Sequence, residues 1–294
     1  MRTAVLFLVC VACATPASSE PRPTATNQSA EQPPDRYREH IAKLRKRLAK
    51  LGLGDVNIRV EEPFVVIGDS SAKKLVEDAS TVKWAVQHLE ADFFKVRPTK
   101  ILDVYLFASS ETYERGVELL TENEPGTPYG FYSRTHKALF MNIGTGGGTL
   151  VHEIVHPYVE VDFPNAPPWL NEGLGSLFEQ SSSSDEHIIG LPNWRLAGLK
   201  RAIVENRVPT FKTLTHLGDN EFYGDDSGVN YAASRYLMYY LQEHGKLREF
   251  YAAFRAARAK DPSGYATLVA TLGEQDMTKF EARWRAYVSK LSFP

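Results

Sequence analysis

Val151-His152-Glu153-Ile154-Val155-His156-Pro157 places an H-E-x-x-H core inside an apolar run. Two histidines four residues apart lie one turn apart on the same face of a helix, a spacing at which their imidazoles can pinch one zinc ion. Glu153 stands beside them as a carboxylate that is free to move a proton. Structural zinc closes its tetrahedron with four protein ligands, whereas a catalytic site offers three and keeps a position for water, so a third ligand is expected nearby. Downstream, Pro167-Pro168-Trp169-Leu170-Asn171-Glu172-Gly173-Leu174-Gly175 opens on prolines suited to a helix start and continues apolar. Pro164, Pro167 and Pro168 end the first helix and let the second fold back, which brings Glu172 to the two histidines.

H-E-x-x-H followed by W-L-N-E-G resembles the gluzincin group of zinc metallopeptidases, and Trp169 to Glu179 is similar to the corresponding helix of the M1 aminopeptidases. The likeness covers His152 to Glu179. The chain's size is closer to that of the small peptidase-MA-like domains. The resemblance implies a zincin-like fold, one Zn2+ per chain on His152, His156 and Glu172, Glu153 as general base, and a peptide or protein substrate. It also implies a tyrosine or histidine that stabilises the reacting oxygen, for which Tyr231 is the first candidate and Tyr223 the second. No G-x-M-E-N-type segment lies upstream, so the capture of a free amino terminus is not carried over. Ser176, one turn beyond Glu172, stands where other gluzincins carry a supporting aspartate.

Around this pair of helices the pattern reads as an α+β domain over residues 55–294, a small mixed sheet followed by a mainly helical C-terminal half. Val56 to Ile67 reads as one or two strands interrupted at Pro63, Lys73 to Phe94 as a long amphipathic helix, and Ile101 to Ala108 as a central strand apolar on both faces. Tyr129 to Ser133 and Lys137 to Asn142 read as a hairpin around Arg134-Thr135-His136, and Gly144 to Gly148 as a sharp passage from strand to helix. By resemblance, Leu139 to Asn142 is expected to be the edge strand that pairs with an extended substrate. Ser181 to Glu186 is expected to be an exposed loop, and the stretch from His216 to Asp226 an irregular segment forming one wall of a cleft. Asn230 to Gly245, Lys246 to Lys260 and Asp276 to Leu291 read as helices.

Residues 1–19 read as an export signal, with Arg2 as a minimal basic start and an apolar run from Ala4 to Ala14 too short to span a bilayer as a mature helix. Cys13 stands where a lipoprotein acceptor cysteine would, so secretion and a lipid anchor through Cys13 are both open. The only cysteines, Cys10 and Cys13, fall in this segment, which leaves the rest of the chain without disulfide or thiol chemistry. Residues 20–34 form a Pro- and Ser-rich spacer. Residues 35–54 form an amphipathic basic helix, read as a solvated face on a docked helix, with an anionic lipid surface or a prosegment over the cleft as other roles. A hydrophobic share of 43% is ample for a core, and a net charge of -2 gives no reason to invoke nucleic acid. Two functions fit: a zinc peptidase, or a zincin-fold binding or scaffolding protein at the cell surface that lacks turnover.

Overall fold

Alternation decides which side of the sheet each layer occupies. In a computed structural model, which describes residues 34–293, the chain runs α1 (Asp35–Lys50), β1 (Asn57–Glu61), β2 (Phe64–Gly68), α2 (Ala72–Asp92), β3 (Leu102–Phe107), α3 (Ser110–Thr121), β4 (Gly130–Ser133) and β5 (Ala138–Asn142). There follow α4 (Gly148–Asp162), α5 (Pro168–Phe178), a hairpin β6 (Ser181–Ser184) and β7 (His187–Gly190), α6 (Arg195–Val204), α7 (Phe211–His216) and α8 (Asp219–Phe222). The chain closes with α9 (Ser227–Glu243), α10 (Leu247–Ala257), α11 (Tyr265–Leu272) and α12 (Met277–Lys290). This is an α+β fold. The leader, Cys13 and the spacer lie outside the described residues, apart from Pro34.

The larger sheet is mixed, in the order β1-β2-β3-β5-β4, with β2, β3 and β5 parallel and an antiparallel strand at each edge. Phe64, Val66, Val104, Leu106, Leu139 and Met141 point into the core shared with α2, α4 and α5. Their alternating neighbours Val65, Ile67, Tyr105, Phe107 and Phe140 point into a second core, covered by α1 and α3. Both faces are therefore buried, the physical reason the central strands are apolar at every position.

Tyr37, Leu44 and Leu48 of α1 are buried in the second core, while Lys43, Arg45, Lys46 and Lys50 are exposed. The helix thus docks by one face, on the side of the sheet opposite α4. No residue of α1 lines the cleft described below, so in this structure the helix does not lie over that cleft. A second correction concerns the edge. Leu139 to Asn142 lies in β5, buried between β3 and β4, and the edge strand beside Glu153 is β4. Third, Ser181 to Glu186 is not a loop but most of the β6–β7 hairpin, turned by Asp185 and Glu186 at φ 50° and 66°.

The helical half packs against α5. Gly173 lets α5 approach α9 closely, since a Cβ there would stand 3.2 Å from Met238 and 3.3 Å from Ser234. Asp162 at the end of α4 accepts the N–H groups of Lys95 and Val96, the Tyr251 hydroxyl and the Arg255 guanidinium, tying α4 to the turn after α2 and to α10. Among the described residues no helix is long and apolar enough to cross a membrane.

Candidate metal centre

Helix α4 runs unbroken through Pro157, and it holds the His152 and His156 rings with centroids 4.9 Å apart. The proline therefore does not separate the two imidazoles. Helix α5 begins at Pro168, and Glu172 on it reaches back to α4: Oε2 lies 3.2 Å from His152 Nε2 and 3.8 Å from His156 Nε2. The close approach needs a glycine. A Cβ at Gly175 would stand 3.0 Å from the His152 ring, so no larger residue fits without moving it.

His156 and Glu172 are each held from behind. His156 Nδ1 and Asn171 Oδ1 are 3.0 Å apart, and the Tyr223 hydroxyl donates to Glu172 Oε1 at 2.7 Å. His152 Nδ1 faces Glu179 Oε1 at 3.1 Å but off the line of a hydrogen bond, which leaves this buried nitrogen without a bonded partner. Glu179 is gripped by the Arg195 guanidinium through two N–H bonds, of 3.0 and 2.7 Å, and by the Asn193 amide at 3.0 Å. Glu153 Oε2 accepts the backbone N–H of Tyr132 on the edge strand at 2.8 Å and lies 3.7 Å from His156 Nε2.

The electrostatics follow from burial among opposite charges. Burial disfavours ionised Glu172, but the imidazoles of His156 and His152 and the Tyr223 hydroxyl outweigh it and hold the carboxyl well below the usual range. Glu179 is lowered in the same way, against burial, by His152 and Arg195. For His152, burial opposes protonation while the carboxylates of Glu172 and Glu179 favour it, with a net rise. Burial raises Glu153, and the nearby histidines only partly offset this.

The donor atoms of His152, Glu153 and His156 lie within 4.8 Å of one another, a buried group that could hold a metal ion. Glu172 reaches the same two nitrogens. A tetrahedral ion bound at about 2.1 Å needs donors roughly 3.4 Å apart. Glu172 meets that spacing to His152 and approaches it to His156, whereas Glu153 Oε2 is committed to the edge strand.

The group sits in the floor of an open cleft of about 2360 Å³, lined on one side by β4 and on the other by α8 and the start of α9. Short helices α7 and α8 replace the irregular stretch expected from the sequence, and Asp219 and Tyr223 supply the expected wall. The Tyr231 ring lies over His152, with centroids 6.5 Å apart and planes 18° apart, and burial followed by the nearby Glu172 raises its hydroxyl pKa. Ser176 takes no part: its hydroxyl donates to the Glu172 backbone carbonyl at 2.5 Å.

Sequence reasoning missed Asn171, Glu179 and Arg195. Asn171 adjoins Glu172, and Glu179 lies seven residues on, two turns along the same face. Arg195 carries no local signal. No family model matches the chain, and no curated protein matches it.

Proposed function

We propose that the chain is a zinc-dependent peptidase of zincin-like fold and gluzincin type, with His152, His156 and Glu172 as metal ligands and Glu153 as general base. The observation that carries this reading is the return of Glu172 to 3.2 and 3.8 Å from the two imidazole nitrogens in the floor of an open cleft. Zinc at these donors supplies Lewis-acid chemistry, acidifying a water and polarising a carbonyl.

The side chains do the rest. Glu153 takes the proton from the attacking water and returns it to the leaving amine. The Tyr132 N–H leaves Glu153 one free oxygen and fixes the carboxylate against the edge strand. Tyr231 donates a hydrogen bond to the oxyanion, and its raised pKa keeps the hydroxyl protonated for that role. Strand β4 offers its unpaired edge to an extended peptide. Glu179 and Asn171 set the tilt of the histidine rings, the usual work of groups behind metal ligands. The leader-like run Ala4 to Ala14 supports reading it as an exported peptidase, secreted or anchored through Cys13.

The test is cleavage of a mixed peptide library by the wild-type chain and by Glu153→Gln, read by mass spectrometry. Cuts that appear with wild type and vanish in the variant are expected. Equal cutting by both would sink the assignment of the base, and no cutting by either, with zinc bound, would favour a binding protein that keeps the fold without turnover.

A further inference from the structure

Two turns beyond Glu153 on the same face of α4 stands a second carboxylate, Glu160, and Tyr132 binds both. The Tyr132 backbone N–H donates to Glu153 Oε2 at 2.8 Å, and its phenol hydroxyl donates to Glu160 Oε2 at 2.8 Å. The other oxygen of Glu160 accepts from the Lys137 ammonium at 2.7 Å. Tyr132 belongs to β4 and Lys137 directly precedes β5, so one carboxylate grips both arms of the hairpin. We propose that Glu160 is a positioning residue for Glu153: by holding the Tyr132 side chain it aims the Tyr132 N–H, and so fixes the carboxylate of the general base. The word base rests on the function proposed above; the tie between the two carboxylates does not.

The sheet by itself does not secure this aim. The Asn142 N–H donates to the Tyr129 carbonyl at 2.9 Å, and the register then pairs Phe131 with Phe140 and Tyr132 with Leu139. Antiparallel pairs alternate between bonded and non-bonded, so the backbone groups of Phe131 face β5 while those of Tyr132 face away from it. Strand β5 therefore gives the Tyr132 N–H no bond, and β4 is a four-residue edge strand with no strand on that side. Such an edge opens locally more easily than a central strand. Tyr132 is tied to α4 at two points instead, through Glu153 at its backbone and Glu160 at the tip of its side chain.

The charges suit this arrangement. Partial burial works against ionised Glu160, but the bonds from Lys137 and Tyr132 outweigh it and hold the carboxyl below its usual range. Glu160 is therefore an acceptor, and the Tyr132 hydroxyl, kept protonated by burial and by Glu160, is its donor. A released Glu153 would have another place to go. Its Oε2 is already 3.7 Å from His156 Nε2, and Glu153 joins His152 and His156 in a group that could itself hold a metal ion. The Tyr132 N–H keeps that oxygen at the strand, which separates the part of a base from the part of a ligand.

The experiment follows hydrogen exchange of the Tyr132 amide by NMR in the full chain with zinc added, beside kcat and KM for a peptide that the wild type cuts. Glu153→Ala sets the exchange rate of the released amide. Tyr132→Phe and Glu160→Ala are each expected to speed Tyr132 exchange about tenfold, the worth of one hydrogen bond, and to lower kcat about 10- to 100-fold with KM little changed. The double variant should fall no further than the worse single one, because both remove the same tie. Tyr158→Phe is the control for lost stability: it takes a phenol hydroxyl from Glu90, a tie between α4 and α2, and should change neither readout. Tyr132 exchange at the wild-type rate in both variants, equal acceleration by Tyr158→Phe, or release of the amide with kcat unchanged overturns the proposal. Release of the amide in a chain that cuts no peptide keeps the tie and removes the peptidase reading. Cutting by the wild type with no release in the variants does the reverse, and neither release nor cutting removes both.

Discussion

Replacing Gly175 by alanine tests whether the close seating of His152 on α5 governs the metal site. The new Cβ would stand 3.0 Å from Cδ2 and Nε2 of His152 and 3.1 Å from Cε1. Contacts this short are tighter than ordinary carbon packing, so the ring must give by a few tenths of an ångström. It has little room, with Nε2 at 3.2 Å from Glu172, Nδ1 at 3.1 Å from Glu179 and the Tyr231 ring stacked nearby. Overpacking of this kind costs about 1–3 kcal/mol, and exchanging glycine for alanine in a helix returns up to about 1 kcal/mol. The expected net loss of stability is therefore about 0–3 kcal/mol. Zinc affinity should fall much further, about 10–100-fold, because the displaced ring is a ligand. Gly198→Ala in α6 is the control: nothing lies within 4 Å of its Cβ position, so it should gain stability and leave zinc untouched. Thermal denaturation and competition with a chromophoric chelator read the two quantities. If Gly175→Ala matched Gly198→Ala in both, the claim that α5 seats His152 would be refuted.

Tyr231→Phe should lower kcat about 100-fold or more while zinc content stays at wild-type level, measured by steady-state kinetics beside metal analysis; an unchanged kcat would pass the role to another donor. His40 Nε2 lies 2.7 Å from Asp103 Oδ1, and this hydrogen bond, against partial desolvation, raises the His40 pKa above 6.5. A raised folded-state pKa means stabilisation present below about pH 6.5 and lost as pH rises through the higher folded value, so the melting temperature should fall across that window. Asp103→Asn should abolish the decrement, and an identical pH profile in the two proteins would contradict the linkage. Asp162→Ala strips a fully buried carboxylate from Arg255, Tyr251 and two backbone N–H groups, and urea denaturation should show a loss of about 3–5 kcal/mol. A loss below 1 kcal/mol would show that the tie between α4 and α10 is not cooperative.

The parts of this molecule legible in the sequence are those whose cause is local. His152 and His156 share a face because a helix has 3.6 residues per turn, Pro164 to Pro168 must interrupt that helix, and a strand apolar on both faces must be covered on both. What escaped depends on partners distant in the chain. Which strand is the edge is set by β5 inserting between β3 and β4, a pairing that the apolar run Leu139 to Met141 does not announce. The first strand of the β6–β7 hairpin is four serines and its turn is Asp185 and Glu186, so it lacks both the apolar alternation and the Asn-Gly signal by which hairpins are recognised. Glu179 was visible as a residue but not as a support for His152, because its anchor Arg195 comes from the next helix.

The central claim is that Glu172, and not Glu153, is the third metal ligand, and metal content decides it directly. Elemental analysis of zinc in the purified wild type, Glu153→Gln, Glu172→Gln and His156→Ala, after dialysis against a weak chelator, reports which side chains hold the ion. The account predicts one zinc per chain in wild type and Glu153→Gln, with zinc lost from Glu172→Gln and His156→Ala. Zinc retained in Glu172→Gln and lost from Glu153→Gln, or no zinc in the wild type, would contradict it.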